Sequence, residues 1–398
     1  MRILIINYEF PPLGGGGGVA SYQIARGLVA REHEVDILTT ARSGLPSSEV
    51  VDGMGVYRVP VLMRSELATA SLPSMLSFFP SSLVKGCQLL RRERYDVLNS
   101  HFAIPSGPTG VALSRVFNTP QVLTIIGGDI YDPTKRFSPS NNSFLHTVVR
   151  RVLDSSSHII AISEDIKRRA REDYRCRRDI EVIHYGLAAP RFEIKSRAQL
   201  GIPEGDIVLI SIGRLIKRKA LGDLLLALSR LDDRRYRLLI IGDGPEEARL
   251  RDLAKRLQLS QRIDFLGPIW GELKFQYLAA SDIFVLPSVH EGFGLVFLEA
   301  TYCGLPVIAS SSGGQTDFLK DGETGFLVPV GDVDTLAERI SRLGSDEALR
   351  EEISEFNRQY VRSFDIADVA RRYEALFSAV IQRSTAGAER QERNSPTA

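Results

Sequence analysis

"MRILIINYEFPPLGGGGGVASYQIARGLVA", residues 1–30, joins three kinds of chain in one stretch. Residues 2–6 form an apolar run closed by Asn7, the pattern of a buried strand. Residues 19–30 carry apolar side chains at helical spacing, the pattern of an amphipathic helix. Five glycines, Gly14 to Gly18, therefore stand in a strand-to-helix connection. Glycine lets the backbone come close to a ligand, and a helix start offers unpaired N–H groups to an anion. A flexible connection is the plainer alternative for this stretch taken alone.

The same alternation continues along the chain. Short apolar runs at 35–39, 56–59, 97–99, 121–125, 158–162 and 180–183 read as strands separated by helical patterns. Residues 185–206 are rich in turn formers and read as a linker. Strand runs resume at 207–212, 236–241, 263–266, 283–286 and 307–309. Strand–helix alternation of this kind predicts parallel sheets covered by helices. The expectation is α/β, two tandem Rossmann-like doubly wound domains at 1–187 and 188–383, with the last helix free to pack back on the first. Residues 384–398 read as a disordered tail. Doubly wound halves bind ligands at the carboxyl ends of their strands, so the cleft between them is the expected active site.

The chain has 398 residues, enough for two hydrophobic cores, and a formal net charge of +1, which gives no sign of a nucleic-acid partner. Three scattered cysteines argue against a disulfide framework or a zinc cluster. The N-terminal apolar run is short for a signal peptide, and no apolar run reaches membrane-spanning length. The expected location is cytoplasmic, with peripheral contact at the inner membrane face left open.

Gly15, Gly17 and Ala20 formally fit G-x-G-x-x-A. A dinucleotide site needs its first glycine directly after the strand and a carboxylate at the end of the second strand. Here residues 8–13 intervene, and the second strand ends in Thr39-Thr40. The match is read as coincidental.

"HEGFGLVFLEATYCGLPVIAS" (residues 290–310) is the richer stretch. Glu291 lies in a loop after a strand, Gly292 and Gly294 open the backbone, and Glu299 falls about one turn inside the following helix. Such a cradle suits an anion at the helix start, with carboxylates accepting bonds from hydroxyls. That combination fits a sugar attached to a phosphate. A charge at a helix start and a solvated helix face are the bland readings of Glu291 and Glu299 taken singly. In "IGRLIKRKALGDLL" (residues 212–225), Arg214 and Lys219 are placed to receive the charge that grows on a departing diphosphate. Lys217 and Arg218 read as a solvated turn.

Together these motifs resemble the retaining, GT-B-fold glycosyltransferases of family 4 (glycosyl transferases group 1). The E-x7-E element is Glu291 and Glu299, and the G-R-x4-K element is Gly213, Arg214 and Lys219. "IGDGP" from Ile241, "FLG" from Phe265, "GETGFLVPVGD" from Gly322, the glycine run, "DVLNSHFAIPSG", "AISEDIKRRA" and "EVIHYGL" also match, in order. The resemblance implies a hexosyltransferase, EC 2.4.1.-, that moves a hexose from a nucleotide-diphosphate sugar to a hydroxyl of a glycan, lipid-linked or small-molecule acceptor. Family frequency puts a UDP-sugar first and GDP-mannose second. It further implies catalytic roles for His101, Arg214, Lys219 and Glu291. Donor contacts are expected from Gly15, Gly16, Gly17, Gly213, Gly242, Gly244, Leu266, Phe293, Gly294, Leu295, Val296 and Glu299, with Glu299 on the ribose. Asp129 is expected on the acceptor side. No cofactor is expected, and metal is not required because Arg214, Lys219 and the helix start already serve the diphosphate. No carboxylate announces itself as a nucleophile, so the family's same-face attack is the expected route.

Some positions depart from the family pattern. Ile126 stands where a histidine is common before Gly-x-Asp, Ala220 and Asp317 replace a usual glycine and glutamate, and Ala188 replaces a common aspartate. These changes bear on substrate choice. Residues 72–94, with exposed-looking Met75, Phe78 and Phe79 and with Arg91, Arg92 and Arg94 nearby, read first as a helix covering the sheet, with peripheral membrane contact as the alternative. A same-fold sugar-nucleotide epimerase, a glycoside hydrolase and a non-catalytic nucleotide-sugar-binding protein are the competing functions.

Overall fold

A computed structural model describes residues 1–64, 71–135 and 138–394, with side chains through residue 386. The chain divides into two compact units, one of residues 1–186 with 366–398 and one of residues 187–365.

The first unit contains β1 (Arg2–Asn7), α1 (Gly16–Val29), β2 (Glu34–Thr40), β3 (Ser48–Val51), β4 (Met54–Val59) and α2 (Leu72–Arg92). It continues with β5 (Val97–His101), α3 (Gly107–Phe117), β6 (Gln121–Ile125), α4 (Ser143–Ser155), β7 (His158–Ala161), α5 (Glu164–Glu172) and β8 (Ile180–Val182). The sheet order is β3-β4-β2-β1-β5-β6-β7-β8, parallel except for the β3–β4 pair. Residues 3–6 of β1 are fully buried, as the unbroken apolar run demands of a central parallel strand. The chain first builds outward from β1 through β2, then returns to its other side with β5. The carboxyl ends of β1 and β5 therefore flank the point where strand order reverses, the place where such sheets bind ligands.

The second unit holds β9 (Ile207–Ile212), α6 (Leu221–Ser229), β10 (Tyr236–Ile241), α7 (Glu247–Arg256), β11 (Ile263–Gly267) and α8 (Glu272–Ala279). Then follow β12 (Ile283–Leu286), α9 (Leu295–Tyr302), β13 (Val307–Ser310), β14 (Gly325–Val328), α10 (Val333–Ser345) and α11 (Glu347–Tyr360). Its six strands run β11-β10-β9-β12-β13-β14, all parallel. Here the reversal lies between β9 and β12.

The last helix, α12 (Ile366–Asn394), belongs to the first unit and continues into the segment that the sequence suggests is a tail. It packs on α1, where Gly27 abuts Ala370, and Glu374 pairs with Arg31 and His33. Two strands escape the apolar-run pattern: β3 is an exposed antiparallel edge, and β14 is only four residues long. The linker reading also shifts, since the units divide at Gly186 and residues 187–206 belong to the second one. Helix α1 starts three residues earlier than its side-chain periodicity implies, because Gly16, Gly17 and Gly18 form its first turn.

On α2 the sheet-covering reading holds for Met75 and Phe78, and their exposed look in the sequence is corrected. Phe78 is fully buried, edge-on to Tyr8 at 5.4 Å, and Met75 packs against the same cluster. The outward stripe is Leu72, Leu76, Phe79 and Val84. Among the described residues no helix is long and apolar enough to cross a membrane. Phe78→Ala should cost about 3–5 kcal/mol in urea unfolding, while Phe79→Ala should stay within about 0.5 kcal/mol. Equal losses would contradict this orientation of α2.

Candidate active site

In the second unit the reversal point brings two loops together. The loop after β9 carries Gly213, Arg214 and Lys219, and the loop after β12 carries Glu291. Neighbouring parallel strands deliver both loops to one edge, and Val289 N–H donates to Arg218 O at 2.8 Å to tie them. Lys219 Nζ then donates to Glu291 Oε1 at 2.7 Å, with both side chains about nine-tenths buried. Burial alone would raise the Glu291 carboxyl, but Lys219 and Arg218 outweigh it and hold it down at about 2. Burial lowers the Lys219 ammonium, and Glu291 opposes that shift. A third loop is fastened on: Gly314 N–H donates to Glu291 O at 2.8 Å.

Helix α9 begins just beyond. Gly294 at its start has φ +90°, a left-handed conformation that explains glycine there. No side chain caps this start, and no acid sits in the first turn. The N–H groups of Leu295 and Val296 have no intrahelical partner by geometry. Glu299 is buried, which removes the solvated-face reading. Its Oε1 accepts from Lys274 Nζ of α8 at 2.6 Å, while its Oε2 is buried without a hydrogen bond among the described residues. Cys303, one turn further, is pushed up to about 12 by burial and by Glu299, so its thiol stays protonated.

Gly242 and Gly244 lie at the same edge, where they make room for the neighbouring backbone. A Cβ at Gly242 would fall 1.9 Å from Gly213 O, and one at Gly244 2.5 Å from Leu215 O. Leu266 sits within β11, half-buried. Phe293 is buried against Phe318, ring centroids 4.8 Å apart, so only its backbone is placed to meet a ligand. Arg214 is half-buried and its charge is felt by Lys219. Arg218 does not form the expected solvated turn: it is 9% exposed and adds to the field on Glu291.

In the first unit, His101 is the last residue of β5 and fully buried. Its Nε2 faces Asn99 Oδ1 at 2.8 Å, while Asn99 Nδ2 donates to Val122 O and Thr124 Oγ1. Those two donations fix the Asn99 amide and so leave the Nε2–H tautomer of His101, with Nδ1 an acceptor that has no partner among the described residues. Burial lowers His101 to about 3, so it is neutral at physiological pH. The glycine run divides its tasks. A Cβ at Gly17 would lie 2.7 Å from the ring tip of Phe102, which follows His101, whereas Gly16 faces open space. Gly15 N–H donates to Glu9 Oε2 at 2.9 Å. Asp129 departs from its acceptor-facing expectation. Its Oδ2 accepts from Ala103 N–H and its Oδ1 from Ile126 and Gly127 N–H, so it clamps the loops after β5 and β6 together.

Asn99, Arg218 and Lys274 are site residues the sequence reading missed. Asn99 had a signal, since strand positions two apart share a face with His101. Lys274 had none, because its partner lies 25 residues away on another helix.

Known proteins agree with this architecture. Residues 15–186 match the family described as "Glycosyl transferase 4-like domain", and residues 192–360 match "Glycosyl transferases group 1". The chain belongs to the GT-B glycosyltransferases of family 4. It is an enzyme of the hexosyltransferase class, EC 2.4.1.-. Among relatives, the N-acetyl-alpha-D-glucosaminyl L-malate synthase of Bacillus anthracis is 28% identical, aligned over 93% of this chain and 96% of that one. A D-inositol 3-phosphate glycosyltransferase of Streptomyces bingchenggensis is also 28% identical, over 87% and 82%. In fold, sucrose-phosphate synthase of Thermosynechococcus elongatus superposes with TM-score 0.86 at 24% identity, covering 96% of this chain and all of that one. Anabaena HepE, solved in complex with UDP-glucose, superposes with TM-score 0.76 at 22% identity, over 95% and 100%.

Two pH effects follow for this glycosyltransferase. Glu291 is depressed below its ordinary 4.5, so its pairing stabilises the fold above that value and is lost as pH falls through about 2. Lys219→Met, which strands a buried carboxylate, should cost about 3–5 kcal/mol, and adding Glu291→Gln should recover part of it. Urea unfolding from pH 2 to 7 measures both, and a double variant no more stable than Lys219→Met would refute the coupling. His101 is also depressed, so wild type should lose stability from pH 6.5 downward relative to His101→Asn. The pH–rate profile should show no His101 inflection between about pH 6 and 8.

Proposed function

We propose that this enzyme transfers a hexose, with retention, from a nucleotide-diphosphate sugar to a hydroxyl of a sugar-type acceptor. A UDP-sugar is the first candidate donor and GDP-mannose the second. The buried Lys219–Glu291 pair beside the uncapped start of α9 is the observation that carries this reading. A cation, a carboxylate and free N–H groups at one strand edge match the diphosphate and hydroxyls of such a donor. Relatives named for inositol phosphate and L-malate, and the HepE complex with UDP-glucose, point the same way.

The proposed roles rest on this geometry together with the family resemblance. Arg214 and Lys219 bind the diphosphate and stabilise charge as the bond to the anomeric carbon breaks. Lys219 then divides its donors between Glu291 and a phosphate oxygen. Glu291, ionised throughout, accepts from hydroxyls of the transferred sugar. Glu299 Oε2 is the acceptor for a ribose hydroxyl. His101 Nδ1, neutral, accepts from a sugar hydroxyl rather than donating a proton. The acceptor oxygen attacks from the face the diphosphate leaves, and its proton passes to a departing phosphate oxygen. Positioning and charge stabilisation carry the rate, with no covalent enzyme intermediate. The cations supply the charge that a metal ion would otherwise bring.

Thermal unfolding against UDP, GDP, ADP and dTDP, with and without EDTA, tests the donor site. A nucleotide at a hundred times its dissociation constant should add about 2.7 kcal/mol of stability. The expected result is stabilisation by UDP, unchanged by EDTA and lost in Arg214→Ala. In Glu299→Gln, UDP should bind more weakly while 2′,3′-dideoxy-UDP binds as it does to wild type. No stabilisation by any nucleotide would overturn the donor reading, and an EDTA-sensitive shift would overturn metal independence.

A further inference from the structure

Glu9, two residues past β1, stands at the strand-order reversal of the first unit. Its N–H donates at 3.0 Å to Oδ1 of Asn7, the buried last residue of β1. Asn7 lies level with His101 in the register of β1 and β5. From there the Glu9 side chain reaches forward to the glycine run, where its Oε2 accepts from Gly15 N–H at 2.9 Å. The run passes against its stem. A Cβ at Gly14, where φ is +99°, would fall 2.5 Å from Glu9 Cβ, and one at Gly18 would fall 3.2 Å from the Glu9 carbonyl. The run also rests on Phe102, whose backbone is left-handed at φ +73° and whose ring tip would lie 2.7 Å from a Cβ at Gly17.

Three glycines in the first turn of α1 hold that turn loosely, because each has much backbone freedom to lose and brings no side-chain contact. The start of α1 has no side-chain cap and no acid in its first turn. Glu9 supplies both from outside the helix: an acceptor for Gly15 N–H, and a negative charge where the helix dipole favours one. The need for glycine at 14 and 18 is then a consequence of Glu9, since a side chain at either position would strike it. A carboxylate already seated at this start also opposes the approach of a second anion. The run therefore offers its backbone to neutral hydroxyls in preference to phosphate.

We propose that Glu9 is the positioning residue of the glycine run: by holding Gly15 it fixes the first turn of α1, so that the run's backbone N–H groups are set for hydroxyls of the transferred sugar. The proposal rests on the nucleotide-sugar reading given above. Glu9 acts through Gly15 and touches no reacting atom.

The test compares full-length Glu9→Ala, which removes the tether, with Glu9→Gln, which keeps an oxygen for Gly15 N–H. Hydrogen exchange followed by mass spectrometry reads the run without any ligand. Amide exchange over residues 13–20 should rise at least about tenfold in Glu9→Ala and stay within about threefold of wild type in Glu9→Gln. Exchange in β5 and β6 should not change, which shows that the unit remains folded. Calorimetry then compares UDP with UDP-glucose. Both variants should bind UDP within about twofold of wild type, since the run is not set for phosphate. Glu9→Ala should bind UDP-glucose at least about fivefold more weakly, and Glu9→Gln should restore most of that loss. GDP and GDP-mannose replace this pair if GDP is the nucleotide that binds. Unchanged exchange or unchanged UDP-glucose affinity in Glu9→Ala overturns the proposal. So does Glu9→Gln as impaired as Glu9→Ala, or UDP weakened as much as UDP-glucose. Should no nucleotide bind wild type, the donor reading falls, and the exchange measurements still decide whether Glu9 holds the run.

Discussion

The buried contact between Lys219 and Glu291 is the constraint on which the second unit's chemistry depends. Neither charge is tolerable alone at that depth, since an ion out of water needs a partner or must give up its charge. Pairing them requires the loops after β9 and β12 to meet, which the sheet accomplishes by reversing strand order between those two strands. The pair also sets protonation. With Lys219 and Arg218 facing it, Glu291 stays an acceptor and never serves as a proton donor in the physiological range. The arrangement therefore favours binding of hydroxyls and phosphate over acid catalysis, which separates it from a hydrolase built on two carboxylates.

Glu299 follows the same logic one step away. Lys274 holds one of its oxygens and leaves the other buried and unbonded. A carboxylate fixed in this way has its orientation set before any ligand arrives, so little freedom is lost on binding. The E-x7-E pair is thus two separate ion pairs, each with its own lysine from a different segment.

The first unit manages polarity differently. His101 is deprived of charge by burial and fixed by Asn99, leaving one acceptor nitrogen. Asp129 spends both oxygens on backbone N–H groups and so shapes the loops around His101. The glycine run proves less uniform than it reads: three of its members are helix, one makes room for Phe102, and Gly16 is open.

Fold class, the alternation of strand and helix, and the positions of Arg214, Lys219, Glu291 and Glu299 were legible in the sequence, because apolar runs and glycine-bounded loops are local features. The buried strands β1 and β9 announce themselves because both faces are covered and their interiors are nearly unbroken apolar runs. β14 and the edge strand β3 did not: β14 lies inside a stretch of turn formers, and β3 opens on two polar residues and is partly exposed. Phe78 and Phe79 are neighbours of one type, and helical geometry alone sends one inward and one outward. What only tertiary structure decided is pairing: that Lys219 meets Glu291 across 72 positions, and that Lys274 meets Glu299. Local sequence determines where charges sit along the chain. Their burial and their partners depend on which strands lie side by side, and that is a property of the sheet.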